Sequence, residues 1–505
     1  MNKAIYYIAS IILLSSLSGC DKFLEESSQN EVRPGSVIDL EELMTGEVYP
    51  VGTTFHNYLE LLTDDVENYC NDNGQYPGIA QRWVSAFTWQ KDMYEQLAVS
   101  GAVNANGSRI DTYEHYYNRI KGCNVVLDML DKVKGEDSAK ANVEGQALAM
   151  RAWFYFMLVN LYAQPYNAPG VDINASPGVP LITTSAVKDL YPIRASVADV
   201  YAQIEADLLK ALPLLEQHGQ QNRKFKATDM FVYTLLSRMY LYMEEWDKAI
   251  EYATKGLQKN PNLCNLADYV TETGTGTFTD GLYGINSPEA IWWGYGLLNQ
   301  EYEAYDWGMF MYNLRVYGVS TGLRNLYETS GNADNRMDMR YTYYYFWKNL
   351  YYPFFQYSMV YGDKASRTTT LSSRTVKGMR VSELYLNRAE AYIHAGGRDS
   401  EALSDLNTLR RHRYDTHKEA YQSVSGISGD ELLSFCRDER RRELSFEDHR
   451  WFDLRRYGMP EIKHTIQLDI TEPAVEHILE QGSPRYVLPL PQYVHDRNYN
   501  LVPNP

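Results

Sequence analysis

The sequence predicts a mainly α protein: a body of stacked helix pairs carrying an irregular, loop-rich lobe with short β-strands. Three observations predict it. Phe225–Pro261 reads as two amphipathic helices meeting at a tight turn. The plan returns at Met379–Arg413, and a related helix occupies Glu144–Tyr162. Between the first two units, over residues 265–378, helical periodicity gives way to Thr, Gly and clustered aromatic residues.

In the first unit Thr228 or Asp229 can cap the opening helix, and Phe231, Leu235, Met239 and Tyr242 form one apolar stripe. Glu244 and Glu245 sit at the turn, and Ala249, Tyr252, Ala253 and Leu257 line the second helix. Pro261 ends it, because proline cannot continue a helix. The unit resembles a tetratricopeptide repeat, which needs stacked neighbours to cover its apolar face. Arg238/Tyr242, Arg388/Tyr392 and Arg151/Tyr155 share one spacing. Residues four apart lie on one helix face, so each Arg is expected against its own Tyr ring.

Residues 1–19 read as a processed leader. Lys3 is followed by the short apolar run Ala4–Leu14 and by Leu17-Ser18-Gly19-Cys20. That ending resembles a bacterial lipobox, which implies cleavage before Cys20, acylation there and a membrane-anchored chain. Residues 20–37 form the tether, 38–215 an N-terminal region, and 216–505 a C-terminal region that contains the lobe 265–378.

The hydrophobic content is 44%, ample for a large core. The formal charge is −17, and −18 once Lys3 leaves, which argues against nucleic acid as a ligand. Cys70, Cys123, Cys264 and Cys436 are spaced neither as a zinc site nor as a disulfide framework, leaving free thiols as the default and one bridge open. Tyrosine is in excess, 43 against 15 Phe and 9 Trp, which hints at exposed aromatic surface beside the needs of the repeats.

Ile38–Thr45 predicts a first helix. Tyr58–Gln90 reads as loop, because Asn71, Asp72, Asn73, Gly74 and Pro77 force turns. Asp111–Val133 and Ala141–Tyr162 read as a helix pair, Ser196–Leu215 as a further helix, and Glu289–Tyr295 as a strand in which one of Trp292 and Trp293 faces the core. In Gly429–Tyr457, Asp438 with Arg442 and Arg440 with Glu443 are within helical reach, so an exposed, charge-laced face is expected. The proline-rich tail from Pro484 is expected to wrap the surface.

Glu439–Gly458 (ERRRELSFEDHRWFDLRRYG) resembles the SusD/RagB family of Bacteroidetes outer-membrane nutrient-binding lipoproteins. The pieces LSGC, LLTDDV at Leu61–Val66, RIKGCNVVL at Arg119–Leu127, RAWFYFMLVNLYAQPY, VSELYLNRAEAY and LPLPQYVHDRNYNLVPNP fit too, in family order along the mature chain. The resemblance implies four tetratricopeptide-like units, the fourth expected from Ser196–Leu215 with the opening repeat helix. It also implies a lipoprotein on the outer face of the outer membrane that caps a SusC-like TonB-dependent transporter and captures glycans.

No HExxH, GxSxG, Walker loop or dinucleotide fingerprint occurs, and the histidines have no metal-ligand spacing. Neither enzymatic activity nor a cofactor or metal is expected. Adjacent Asp64 and Asp65 are poorly placed to flank a glycosidic bond. Sugar rings stack their C–H faces on aromatics while their hydroxyls need polar partners. Tyr69–Trp89 and Tyr295–Tyr317 supply both types. The expected stacking residues are Trp83, Trp89, Tyr302, Tyr305 and Trp307, with Asn71, Asn73 and Arg82 as polar partners. A peptide importer of the RagB branch and a lipid-anchored glycan hydrolase are the alternatives.

Overall fold

The computed structural model describes residues 34–50, 58–70, 77–101, 111–186, 191–220, 223–268, 282, 287–295, 317–328, 338–341, 344, 348–352, 357–361 and 377–504. Cys20, Asn71, Asn73, Tyr302, Tyr305 and Trp307 lie outside them.

Fourteen of the described helices concern the architecture: α1 (Val37–Leu43), α2 (Pro77–Phe87), α3 (Met93–Val99), α4 (Tyr113–Met129), α5 (Asp137–Tyr162), α6 (Val197–His218), α7 (Asp229–Tyr242), α8 (Trp246–Lys259), α9 (Thr321–Leu326), α10 (Val381–Ala395), α11 (Asp399–Arg411), α12 (Gly429–Leu444), α13 (Arg450–Arg456) and α14 (Gln492–Arg497). The strands are β1 (Val66–Asn68), β2 (Ala290–Tyr295), β3 (Tyr317–Val319), β4 (Lys348–Tyr352), β5 (Tyr357–Tyr361), β6 (Lys377–Arg380), β7 (Ile462–Ile466) and β8 (Val475–Leu479). They form antiparallel two-stranded ribbons, β1–β3, β2–β6, β4–β5 and β7–β8. The mainly helical fold with few short strands is as the sequence predicts.

Helix α5 is the centre of the body. From Gly145 to Tyr162 every residue is buried, as expected of a helix apolar all round. It packs on α4 and most extensively on α6, where a Cβ at Gly145 would come within 2.8 Å of Leu215. The partner expected for α6 is therefore corrected: it pairs with α5 across the 164–196 crossing more than with α7. The α7–α8 and α10–α11 pairs follow, and α10 lies against α8. Thr228 caps α7 by accepting from the Phe231 amide.

The repeat arginines do something the spacing did not show. Of the three expected ring contacts, Arg388 lies 5.8 Å from the Tyr392 ring, and among the described residues Arg456, not Arg238, is found over Tyr242. All three repeat arginines make side-on forks with carboxylates. Arg151 holds Asp207 through Nε and Nη2, both at 2.7 Å, and Arg388 holds Asp405 likewise. Each of these forks links the two helices of one unit. Arg238 reaches into the next unit and holds Glu383 at 2.5 and 2.6 Å. Parallel N–H donors match a carboxylate's geometry, which is why arginine serves here and lysine would not.

The charged run on α12 corrects another expectation. Glu439, Arg440, Arg442 and Glu443 are buried, not exposed. Glu439 accepts from Arg340, Arg410 and Arg442. Glu443 accepts from Arg340, Arg380 and Arg413, and Glu289 from Arg380 and Arg413. Burial alone would raise the Glu439 carboxyl, but Arg340, Arg442 and Arg410 outweigh it and hold it well below the usual carboxylate range. The network joins lobe, third repeat and α12 in one water-excluded cluster.

Trp292 and Trp293 are both buried, so both face the core, because irregular register in β2–β6 breaks simple alternation. Tyrosines of the described body are largely interior with bonded hydroxyls, such as Tyr94 to Tyr58 at 2.9 Å and Tyr49 to Gln146 at 2.7 Å. The tail packs in rather than merely wrapping: Leu488, Leu490 and Leu501 are buried, and the Asn504 amide donates to the carbonyls of Tyr162 and Leu488. Among the described residues Cys70, Cys123, Cys264 and Cys436 form no disulfide. Among the described residues no helix is long and apolar enough to cross a membrane.

Candidate ligand-binding site

Two segments far apart in sequence meet at one ribbon. In β1–β3, Val66 faces Val319, Glu67 faces Gly318 and Asn68 faces Tyr317. The pairing is antiparallel, so the chain leaving β1 and the chain entering β3 do so at the same end. One sequence-predicted ligand segment, Tyr69–Trp89, therefore starts where the other, Tyr295–Tyr317, ends. Tyr69, half-buried, follows this end, and its side chain runs back over Gly318 to donate to the Val319 carbonyl at 2.8 Å. A Cβ on Gly318 would lie 2.3 Å from its ring, so the crossing requires glycine.

The ribbon is fixed to the body through Asp64 and Asp65. Ser320 donates its hydroxyl to the Asp64 carbonyl and its amide to the Asp65 carbonyl, both at 2.7 Å, while its own hydroxyl caps α9. The Asp64 carboxylate accepts two bonds from Arg450 at 2.8 Å, and Asp65 accepts from Arg441 at 2.6 Å. Burial opposes ionisation of Asp64, but Arg450 and Arg441 overcome it and keep its pKa low. Paired to guanidiniums in this way, the two acids act as a brace.

Behind the ribbon stands α2, where a loop was expected. Pro77 occupies the first helical position, where a missing N–H costs nothing, and Ala80, Trp83 and Phe87 make a buried face at helical spacing. That spacing was the signal the loop reading missed. The helix ends with Trp89 at φ 51°, its amide bonded to Ala86 and that of Gln90 to Ser85. This left-handed stop usually takes glycine. Here the indole is held by its Nε1–H bond to the Leu62 carbonyl at 2.9 Å and by stacking on His464, 4.3 Å between centroids.

His464 stacks on Phe87 as well, at 4.0 Å, and its two ring nitrogens face the carbonyls of Phe87 and Thr63. Burial lowers its pKa to about 4 although both carbonyls favour the proton, so the ring is neutral at pH 7 and donates to one carbonyl at a time. Tyr317, also buried, donates to the Ala80 carbonyl at 2.8 Å.

The expected site residues thus divide. Trp83 is 2% exposed and Trp89 3%, so neither offers a ring face to a ligand; both belong to the wall beneath the ribbon. Arg82, on the neighbouring position of α2, is half-buried and keeps access to solvent. Asn71, Asn73, Tyr302, Tyr305 and Trp307 lie outside the described residues, in the stretches that leave the ribbon's shared end. The structure adds Tyr69 and Tyr317, which frame that end.

Comparison with known proteins points in one direction. Residues 22–241 match a SusD-like family model described as starch-binding and associating with the outer membrane, and residues 289–505 match the SusD family model. SusD-like protein P2 of Formosa agariphila is 25% identical over 99% of both chains. SusD-like protein P25 of the same organism is 21% identical over 90% of this chain and 89% of its own. A SusD-like carbohydrate binding protein from Bacteroides vulgatus shares the fold, with TM-score 0.65 and 22% identity over 92% of this chain and 97% of that one. A SusD superfamily protein from Bacteroides thetaiotaomicron gives 0.66 and 21% over 93% and 100%.

Proposed function

The chain belongs to the SusD/RagB family, and from that premise we propose that it is a lipid-anchored glycan-binding protein of the outer-membrane surface. It passes oligo- or polysaccharide to a SusC-like TonB-dependent transporter, with Cys20 carrying the acyl anchor. The observation that carries the reading is the convergence of both ligand segments at one end of β1–β3. Loops on a rigid scaffold are where recognition is placed, and here the scaffold is braced by part-buried ion pairs.

Tyr302, Tyr305 and Trp307 supply the stacking faces, with Asn71, Asn73 and Arg82 bonding hydroxyls. A neutral glycan gains little from a net charge of −17, so contact forces set the affinity, about micromolar to millimolar. A glycan array probed with the mature chain identifies the ligand. Trp307→Ala then weakens it by about 1–3 kcal/mol, on the scale of base–aromatic stacking, with an unchanged melting curve. No glycan retained on the array, or wild-type affinity in that variant and in Tyr305→Ala, overturns the reading.

A further inference from the structure

The helical body contains a cleft that no residue of either ligand segment lines. It lies where the end of α5, the α7–α8 turn, α12 and α13 meet, and its atom-free space is about 510 Å³, part of it open to solvent. Three of its lining groups keep a buried polar atom with no hydrogen-bonding partner among the described residues: Arg455 Nε, Arg437 Nε and the Tyr242 hydroxyl.

Arg455 is the unusual member. It is 2% exposed, and its guanidinium donates to the Ala163 carbonyl. No carboxylate pairs with it among the described residues. Its neighbours differ: Arg440 is paired with Asp453, and Arg456 with Glu390 and Asp453. Desolvation lowers the Arg455 pKa to about 10, as befits a cation enclosed without a counter-charge. Arg437 lies 4.1 Å over the Tyr457 ring and also lacks a carboxylate among the described residues. The acidic residue lining the cleft is Glu244, which is exposed. Buried charges are ordinarily paired, so the enclosed Arg455 guanidinium, with half-buried Arg437 lining the same cleft, leaves this part of an acidic protein short of an anion.

We propose that this cleft binds a carboxylate, held by Arg455, Arg437 and the Tyr242 hydroxyl, with Tyr166 and Trp246 as aromatic wall for the body that carries it. Guanidinium N–H groups and a phenol O–H are all donors to a carboxylate, which accepts at both oxygens. The carrier can be a sugar acid or a free organic acid. The site does not depend on what the lobe loops bind.

Calorimetry of the mature chain against glucuronate, acetate and glucose tests the assignment. Saturable binding of glucuronate but not glucose is expected. Acetate at least about tenfold weaker than glucuronate assigns the carboxylate to a sugar acid, and equal acetate affinity assigns it to a free acid; either supports the site. Binding of none of them, or of glucose as well as glucuronate, overturns it. Tyr242→Phe removes an unpartnered hydroxyl, so its melting temperature is unchanged or higher while glucuronate affinity falls about tenfold. Arg455→Gln, shown to be folded by its melting curve, loses at least as much affinity. Wild-type affinity in both variants refutes the proposal.

Discussion

Arg413 lies side-on against Glu443, Nε donating to Oε2 and Nη2 to Oε1, both at 2.9 Å and both residues fully buried. Arg340 and Arg380 meet the same carboxylate. Burying charges costs desolvation that their mutual attraction only repays when every partner is present. Glu443→Ala is therefore expected to lose about 3–5 kcal/mol of stability, because it strands guanidiniums inside the protein. Denaturant unfolding measures it, and a loss below about 1 kcal/mol would mean that the cluster rearranges freely.

Trp83 gives a contrast between core and ligand face. Its burial predicts that Trp83→Ala costs about 3–5 kcal/mol through the cavity it leaves. Any loss of glycan binding then accompanies loss of fold. An unchanged melting temperature with weakened binding would return this ring to the ligand surface.

Two histidines set an acid limit. Burial lowers His449 to about 4, with Arg238 adding to the effect, and burial lowers His464 to about 4 against the pull of its two carbonyls. The unfolded chain takes up these protons near pH 6.5, before the folded protein does. Their stabilisation is therefore complete above about pH 6.5 and is lost as the pH falls towards 4, on the order of 3 kcal/mol each. The paired carboxylates act at lower pH, since their unfolded values lie near 4.5. Ring titration by NMR checks this; a midpoint near 6.5 for either histidine would be incompatible with it.

Gly318 joins stability to binding. Gly318→Ala places a methyl 2.3 Å from the Tyr69 ring and breaks the bond from Tyr69 to Val319. Overpacking of this kind costs about 1–3 kcal/mol. The ligand segments leave from this end of the ribbon, so glycan affinity falls too. Full affinity in a folded Gly318→Ala protein would show that the ribbon does not set the loops.

The repeats were legible because their signal is local. Leu235, Met239 and Tyr242 repeat at the helical period, and that pattern survives in any tertiary context. What Arg238 binds was not legible, since Glu383 stands 145 positions away and spacing along one helix does not record it. The α12 run misled for a related reason. Alternating charges at helical reach describe a solvated face and a buried network equally well until Arg340, Arg380 and Arg413 are seen to arrive from elsewhere. Turn residues before Pro77 drew attention away from the Ala80–Trp83–Phe87 spacing, and so from the burial of Trp83. For the candidate site, the sequence marked the two aromatic segments but not the ribbon at which one begins and the other ends.

That ribbon closes a long loop: Tyr69 and Val319 are 250 positions apart. Joining such distant segments carries an entropic penalty that only an already compact chain can meet. The helix pairs, built from near neighbours, can mature first, and the recognition end is then assembled on them. Maturation of the body and acquisition of binding are then expected to separate in time. A chain caught between them would be stable, protease-resistant in its repeats, and blind to its ligand.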